Sequence, residues 1–300
     1  MTHLTRTGNI DPETVEGFGE EWGTYTQEGL SSAEHRQLFD EYFSIFPFSE
    51  LPPDAEGFDL GCGTGRWAAL VAEQVGHLHC IEPAARALEV ARRRLTDRPN
   101  VTFHHGGVDE IPVGDNSQDF GYALGVLHHI PDTEAAMAAC VRKLKTGAPL
   151  LVYIYYAFEN RPAWFRPLWK VTEVGRRIIS RAPFPVRKYS TTLIAGLVYY
   201  PLARGALLLE RIGGNVENLP LSAYRNRSFY SMRTDALDRF GTRLEQRFTR
   251  AEIEAMMMRC GLEAIEFRDS VPYWVACGRR SAGVPGRASP ALRRSKRYDW

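Results

Sequence analysis

A glycine-rich turn is the feature of this 300-residue sequence that points most directly to chemistry. Gly61, Gly63 and Gly65 lie in the run FDLGCGTGRWA, between a strand-like and a helical stretch, and Asp59 stands just ahead of them. Glycine adopts backbone conformations closed to other residues and lets a ligand approach the main chain closely. Doubly wound sheets bind nucleotides at such a turn, and Glu82 stands where an acidic residue accepts hydrogen bonds from ribose hydroxyls. We therefore expect a nucleotide-like cofactor at this turn.

The spacing of these glycines differs from that of dinucleotide-binding proteins. Their fingerprint is GxGxxG, and Arg66 occupies the position of its last glycine here. This difference disfavours a nicotinamide-dependent oxidoreductase.

Three runs together resemble the class I S-adenosylmethionine-dependent methyltransferases, specifically the small-molecule branch that includes quinone-biosynthesis enzymes. The runs are DLGCGTG ending at Gly65, the acidic strand end at Glu82, and GVDEIPVGDNSQDFGYALGVLHHIPD starting at Gly107. The resemblance is strong over residues 57–157, and RFTRAEIEAMMMRCGL, starting at Arg247, adds weaker support. It implies an enzyme that uses S-adenosylmethionine and no metal.

The resemblance also implies which residues contact this cofactor. The backbone at Gly61 is expected against its methionine and ribose portions, Glu82 on the ribose hydroxyls and Gly125 at the methionine amino group. The implied residues between the first and fourth strands are Asp59, Gly61, Cys62, Gly63, Gly65, Glu82, Pro83, Gly107, Val108, Leu124 and Gly125.

One position departs from the pattern of the relatives. Many of them carry an aspartate where Gly107 stands, which accepts a hydrogen bond from the adenine amino group. Here that contact is left to the backbone, to water or to Asp109.

Two aromatic residues ahead of the first predicted strand are further candidates. In relatives this segment often closes over the cofactor, and an aromatic face attracts a cation such as a sulfonium. Trp22 and Tyr25 are therefore predicted at the cofactor, with core packing as the alternative.

Paired histidines after the fourth predicted strand are the candidate catalytic residues. A methyl sulfonium is a strong electrophile, so transfer needs mainly alignment and exclusion of water. A base is needed when the acceptor is a hydroxyl or a protonated amine. His128 and His129 are near the expected methyl group and titrate near neutrality when unperturbed. Packing and loop orientation are the alternative roles.

From Glu56 the sequence alternates short apolar runs with helical runs, which is typical of a parallel sheet covered by helices. The pattern predicts a doubly wound, mostly parallel seven-stranded sheet. It also predicts a helix from Thr64 to Val75, helix caps at Asp132 and Thr249, and a helix that ends near Phe46. The predicted strands are EGFDL, HLHCIE, VTFHH, Asp119–Leu124, PLLVYIYYAF, LEAIEF and PYWVACG.

The sequence divides into four parts. Residues 1–50 are predicted as an N-terminal helical cover, and residues 51–158 and 236–280 as the cofactor-binding domain. Residues 159–235 form a predicted helical insertion after strand five, at the sheet edge where ligands bind, and so are the candidate substrate cap. Residues 281–300 are predicted as a basic, disordered tail.

The insertion is unusually basic and contains an apolar run. Residues 159–235 hold 13 Lys and Arg against 5 Asp and Glu, which suits an anionic acceptor, a lipid surface or simply a solvated face. The run Leu193–Leu209 is apolar apart from Arg204 and is near the short limit for a membrane span. A buried or lid helix is the preferred interpretation, followed by a membrane-surface or lipid-acceptor role and last by a true span.

These observations favour transfer of a methyl group to a small or lipid-like acceptor in a biosynthetic pathway, with oxygen as the preferred target atom. Methylation of RNA or protein through the basic insertion is one alternative, although DFGY from Asp119 is unlike the signature expected for amino groups of nucleic-acid bases. A non-catalytic cofactor-binding protein is the other. Five widely spaced cysteines and a polar start to the chain predict a cytoplasmic location.

Overall fold

A single seven-stranded sheet organises the protein, whose computed structural model describes residues 8–283. The strand order is β3-β2-β1-β4-β5-β7-β6, and only β7 runs antiparallel to its neighbours. The predicted mostly parallel, doubly wound sheet is therefore confirmed. The strands are β1 (Glu56–Leu60), β2 (His77–Glu82), β3 (Val101–His105), β4 (Phe120–Leu124), β5 (Pro149–Tyr153), β6 (Leu262–Phe267) and β7 (Val275–Arg280).

Ten α-helices accompany the sheet within residues 8–283. Asp132 and Thr249 cap α5 and α10 as predicted, because their side chains accept hydrogen bonds from backbone N–H groups of the first turn. The helices are α1 (Pro12–Thr24), α2 (Ser32–Tyr42), α3 (Ala68–Val71), α4 (Ala85–Arg94), α5 (Thr133–Lys143), α6 (Phe165–Ile179), α7 (Phe184–Ile194), α8 (Tyr200–Arg211), α9 (Phe229–Gly241) and α10 (Arg250–Arg259).

The centre of the sheet is buried on both faces. On β1 and β4, Gly57 pairs with Phe120 and Phe58 pairs with Gly121, so each ring lies over the glycine of the neighbouring strand. A side chain at either glycine would overlap that ring. This close packing fixes β1 beside β4, which is the point in the sheet where the chain order reverses and ligands bind.

Four predicted boundaries differ from the structure. The helix predicted at 64–75 is only α3, because Gly65 still has a left-handed backbone (φ +72°) and the chain is turning there. The predicted ten-residue fifth strand ends at Tyr153, since the neighbouring strands β4 and β7 offer no partner beyond it. The last strand is Val275–Arg280, later than predicted. The helix expected to follow residue 30 and end near Phe46 is α2, which ends earlier, at Tyr42, and α1 before it was not predicted.

Helices α6 to α9 fill the region between β5 and α10. A π-helical turn, Ala195–Tyr199, joins α7 and α8 into one continuous helix from Phe184 to Arg211. Both α6 and α7 pack on α9, which also contacts α1. Helix α9 continues to Gly241, past the boundary predicted at residue 235. We call Phe165–Gly241 the helical insertion. The predicted tail beyond residue 283 lies outside the described residues.

Candidate active site

A cavity of about 750 Å³ lies at the carboxyl ends of β1, β2, β4 and β5. The sheet forms one wall, and the helical insertion and α1 form the other. Ten of the thirteen residues predicted at the cofactor line this cavity. They are Trp22, Gly61, Cys62, Gly63, Glu82, Pro83, Gly107, Val108, Leu124 and Gly125.

Three predicted cofactor residues are absent from the cavity wall. Asp59 is buried within β1, and Gly65 packs against α4 beside Leu95. Tyr25 is buried under the guanidinium of Arg233, whose central carbon lies 4.6 Å from the ring centre. These residues support the site from behind, so Tyr25 has the core-packing role that was the alternative in the sequence.

The glycine turn brings backbone N–H groups to the cavity. Gly61 and Gly63 have φ values of +75° and +54°, in the left-handed region that favours glycine. The N–H groups of Gly61 and Cys62 donate to the carbonyl oxygen of Ile81 at 2.8 and 3.2 Å, which ties the turn to β2. A Cβ at Gly61 would overlap the side chain of Val126. The turn is thus held rigidly, with its open side toward the cavity.

Glu82 joins the turn to the cavity through its carboxylate. One oxygen accepts a hydrogen bond from the Gly63 N–H and the other from the Ala84 N–H, each at 2.9 Å. Burial raises the pKa of Glu82 to about 6, against the lowering effect of these two bonds. The group is therefore ionised at neutral pH and has lone pairs left for the hydroxyls of a ribose.

Asp59 has the opposite protonation state. Burial raises its pKa to about 8, and the nearby negative charge of Glu82 acts in the same direction. A neutral carboxylic acid under the turn leaves Glu82 as the negative charge nearest the ligand.

The two histidines occupy different positions. His129 lines the cavity, whereas His128 is fully buried behind it, with its ring centre 3.8 Å from that of Tyr155. Burial lowers the pKa of His128 well below its usual value, so that ring is neutral. The geometry therefore leaves His129 as the histidine that can touch a ligand.

The hydrogen bond of His129 selects a tautomer. Its Nδ1 lies 2.7 Å from the carbonyl oxygen of Leu244, which only accepts, so Nδ1 carries the proton. In a neutral ring Nε2 then has the free lone pair. This buried Nε2 makes no hydrogen bond within residues 8–283. His129 lines the cavity with another part of its ring, so Nε2 can accept a proton only from a ligand whose binding shifts the ring or its neighbours.

One face of α1 and the two residues before it also line the cavity, of which sequence reasoning found only Trp22. The lining positions repeat at helical spacing, a signal that was readable in the sequence. They are Ile10, Asp11, Thr14, Val15, Phe18 and Trp22.

The adenine-side alternative at Asp109 is corrected by the structure. Both carboxylate oxygens of Asp109 accept the backbone N–H of Asn9 at 2.8 Å, and the residue does not line the cavity. Ile10 instead packs against Gly107, where a Cβ would lie 2.8 Å from its Cδ1. Asp109 thus holds the N-terminal segment over this edge of the site.

The far half of the cavity is aromatic and carries charges that the sequence analysis did not assign. Tyr155 donates a hydrogen bond to the carboxylate of Asp238, and the guanidinium of Arg247 lies over Trp169, 3.9 Å from the ring centre. Burial raises the pKa of Asp235, also in the wall, to about 6. These groups lie just after β5, on the insertion and in the segment before α10, which come together only in the fold.

Comparisons with known proteins agree with this site. Residues 58–152 match the family described as "Methyltransferase domain". Over 121 residues the chain is 30% identical to phosphoethanolamine N-methyltransferase 2 of Caenorhabditis elegans, covering 39% of this chain and 28% of that protein. It is 32% identical over 111 residues to demethylmenaquinone methyltransferase of Listeria monocytogenes, covering 35% and 46%. The chain thus spans less than half the length of these curated relatives.

A solved structure is also similar. Phosphoethanolamine N-methyltransferase 2 of Haemonchus contortus, in complex with phosphomonomethylethanolamine and S-adenosylhomocysteine, gives a TM-score of 0.46 at 16% identity, covering 85% of this chain and 43% of that one.

The family match, the sheet order and the glycine turn together define a class I S-adenosylmethionine-dependent methyltransferase domain. Residues 58–152 carry this domain, and S-adenosylmethionine is the cofactor that such a domain binds. The residues fit that molecule, because the backbone turn can be approached closely and Glu82 offers ionised lone pairs beside a cavity that extends further.

Proposed function

We propose that the protein transfers the methyl group of S-adenosylmethionine to an oxygen atom of a small or lipid-like acceptor in a biosynthetic pathway, and that it works in the cytoplasm. The observation that carries the proposal is the continuity of one cavity from the glycine turn to the aromatic wall of the insertion. That cavity has room for a second molecule beside the cofactor. All five cysteines are buried and free, which supports a reducing compartment.

Binding and alignment supply most of the catalysis. When bound, S-adenosylmethionine supplies an electrophilic methyl group on a positively charged sulfur. The turn at Gly61 and Gly63 and the carboxylate of Glu82 fix the nucleoside end, and Trp22 covers the turn from the N-terminal side. The insertion forms the far side, so an acceptor held against it is aligned for in-line attack.

His129 is proposed as the general base. Its Nδ1–H is held by Leu244, so Nε2 is the atom that takes the proton from an acceptor hydroxyl. A hydroxyl acceptor needs such a base, as a protonated amine also does, and the base is therefore consistent with the proposed oxygen target.

The acceptor is proposed to be a small molecule rather than RNA or protein. The relatives' names specify phosphoethanolamine and demethylmenaquinone, which are small molecules. Several arginines of the basic insertion are engaged within the protein and so are poorly placed to bind phosphates. The ion pairs are Arg176 with Glu173, Arg187 with Glu20, Arg225 with Glu210 and Arg227 with Glu41.

The experiment is a transfer assay with isotopically labelled S-adenosylmethionine and a panel of acceptors. The panel contains hydroxylated quinones with and without isoprenoid tails, phosphoethanolamine, and RNA. Labelled product from a hydroxyl compound, with the new O–CH₃ group identified by NMR, supports the proposal. Label only in RNA, only on nitrogen, or in no acceptor despite tight cofactor binding would overturn it.

A further inference from the structure

Helix α6 is amphipathic, but it exposes its aliphatic side and buries its charged side. Val171, Val174 and Ile178 point away from the protein, with 71%, 60% and 70% of their surfaces exposed. Glu173 and Arg176, on the same helix, are buried and joined by an ion pair. A helix on a water-exposed surface places its charges outward and its aliphatic groups inward. The sequence of α6 therefore fits an apolar environment outside the protein.

The continuous helix Phe184–Arg211 repeats this inversion. Its buried side consists largely of small or hydroxyl residues such as Thr191, Ala195 and Ala203, while Leu197 on the outer side is 74% exposed. A charged group in the middle of this helix folds back onto the protein. Arg204 donates to the carbonyl oxygens of Arg225 and Arg227 at 2.7 and 3.0 Å.

The exposed side chains of these two helices form one surface, which we call the apolar face. Soluble monomers seldom expose so many large aliphatic and aromatic groups together. The apolar face consists of Trp164, Leu168, Val171, Val174, Ile178, Val186, Tyr189, Leu193, Leu197, Val198, Tyr200, Leu202, Leu208, Leu209 and Ile212.

We propose that the apolar face lies in the interfacial layer of a lipid bilayer with anionic headgroups. Exposed basic residues, among them Arg166, Arg181 and Arg211, lie on or next to the same helices. The segment 159–235 as a whole carries 13 basic and 5 acidic residues. Aliphatic and aromatic groups inserted below the headgroups, with basic groups at their level, are the features of helices that lie on membranes.

The long helix lies on the membrane and does not cross it. Its 28 residues contain an 18-residue window with a mean hydropathy of 1.5, so the helix is long and apolar enough for a span by length and composition. However, Thr191, Ala195, Tyr199 and Ala203 are buried, and α7 packs along α9. A helix attached along its length to a folded domain exposes only one side, so only that side enters lipid.

A second copy of the chain suits the apolar face less well. A two-fold interface brings the same surface of both copies together, so the basic residues of one insertion would meet those of the other. Like charges at an interface are unfavourable, whereas an anionic bilayer complements them.

The cavity opens at the apolar face. Leu168, Val198 and Leu202 belong to both the cavity wall and the apolar face, and Leu219 and Val271 extend this exposed rim. An acceptor with an apolar tail would therefore enter from the bilayer, its reactive head reaching the site while the tail remains in lipid. This route rests on the methyl transfer proposed above, whereas the docking surface does not.

Vesicle sedimentation tests the docking surface without cofactor. The full chain is expected to bind vesicles of phosphatidylcholine with phosphatidylglycerol more tightly than vesicles of phosphatidylcholine alone, and less tightly at high salt. Leu197→Asp is expected to weaken this binding about tenfold. Met258→Asp is the matched control. It adds the same negative charge at an exposed position, but on α10, outside the insertion. Both variants should bind S-adenosylmethionine normally in calorimetry.

Three results would overturn the docking surface. They are no vesicle binding by the wild type, equal loss in both variants, and a wild-type dimer in ultracentrifugation that Leu197→Asp dissociates. A separate assay tests the route, with one hydroxyquinone bearing a long isoprenoid tail in vesicles and a short-tailed soluble analogue. We expect Leu197→Asp to slow methylation of the long-tailed quinone and to leave methylation of the short-tailed analogue unchanged. Equal rates of Leu197→Asp and the wild type on the long-tailed quinone would overturn the route. Vesicle binding without methylation of either compound would leave the docking surface standing and reject the proposed function.

Discussion

At the residue scale, two glycines of the turn have different roles. Gly61 is needed mainly for the stability of the fold, and Gly63 mainly for cofactor binding. Gly61→Ala should destabilise the protein by about 3 kcal/mol, because a strained left-handed alanine would also overlap Val126. Gly63→Ala should cost only about 1 kcal/mol, since its Cβ would be 3.7 Å from Trp22, but that Cβ enters the cofactor cavity. Chemical unfolding and calorimetric titration with S-adenosylmethionine measure the two effects. Equal loss of stability in the two variants would contradict this division.

Glu82 gives the cofactor site a pH dependence. Burial raises its pKa from 4.5 to about 6 in the folded protein, so the carboxyl gains a proton as pH falls through about 6. The ribose hydroxyls then lose an acceptor, and affinity for S-adenosylmethionine should decline below that pH. The same pKa shift also affects stability. Because ionising Glu82 costs more in the folded protein than in the unfolded chain, its contribution to the free energy of unfolding falls as pH rises from about 4.5 to 6.

Calorimetry at several pH values measures this dependence. Glu82→Gln should bind weakly with a flat profile, whereas Asp235→Asn, which removes another cavity carboxyl with a pKa of about 6, should keep the wild-type profile. If wild-type affinity for S-adenosylmethionine did not change with pH, or if Asp235→Asn abolished the change, Glu82 would not be the source of the pH dependence.

Substitution of His129 is expected to change kcat and not cofactor affinity. His129→Asn should lower kcat about 100-fold for a hydroxyl acceptor, because the base is lost while the cofactor residues remain. Cofactor affinity should be unchanged. His128→Asn is the control, since its ring lies behind the cavity and should affect folding but not kcat. An unchanged kcat in His129→Asn would remove the base from the mechanism.

At the element scale, a buried ion-pair cluster holds the insertion together. Glu173 on α6 accepts from Arg176 and, across the helix interface, from Arg239 on α9. Removing the carboxylate leaves buried Arg176 with backbone acceptors only and buried Arg239 with Glu245 as its remaining ion-pair partner, so Glu173→Ala should lower the free energy of unfolding by about 3 kcal/mol. Glu210→Ala, which breaks an exposed pair with Arg225, should cost less than about 1 kcal/mol. Denaturant unfolding compares the two, and similar losses would show that α6 does not depend on this cluster.

The sequence predicted the elements of the sheet better than those of the insertion. All seven strands were found because their runs are bounded by turns. Nine of the ten cavity residues were implied by the family resemblance and lie at or after strand ends, and Trp22 was predicted separately from its aromatic ring. The long fifth strand was overestimated because periodicity does not reveal that partner strands end at Tyr153. In α6 an outward aliphatic stripe has the same spacing as an inward one. The sequence pattern therefore cannot say which side faces the protein.

At the scale of the whole molecule, the cofactor and the acceptor are held by different parts of the chain. The sheet supplies the glycine turn and Glu82, while α1 and the insertion close the cavity from opposite directions. Phe18 and His129 contact each other edge to face with ring centres 5.0 Å apart, so α1 also positions the proposed base. The acceptor half of the cavity consists of residues that are distant in sequence, so they could be recognised only from the fold.

The most direct test of the central claim is calorimetric titration of the purified chain with S-adenosylmethionine, its demethylated product and NADH. We expect tight binding of the first two, no binding of NADH, and a loss of affinity of about tenfold or more in Gly63→Ala and in Glu82→Ala. Folded protein that binds only NADH, or that binds S-adenosylmethionine equally well in both variants, would contradict the assignment of the cofactor to this turn.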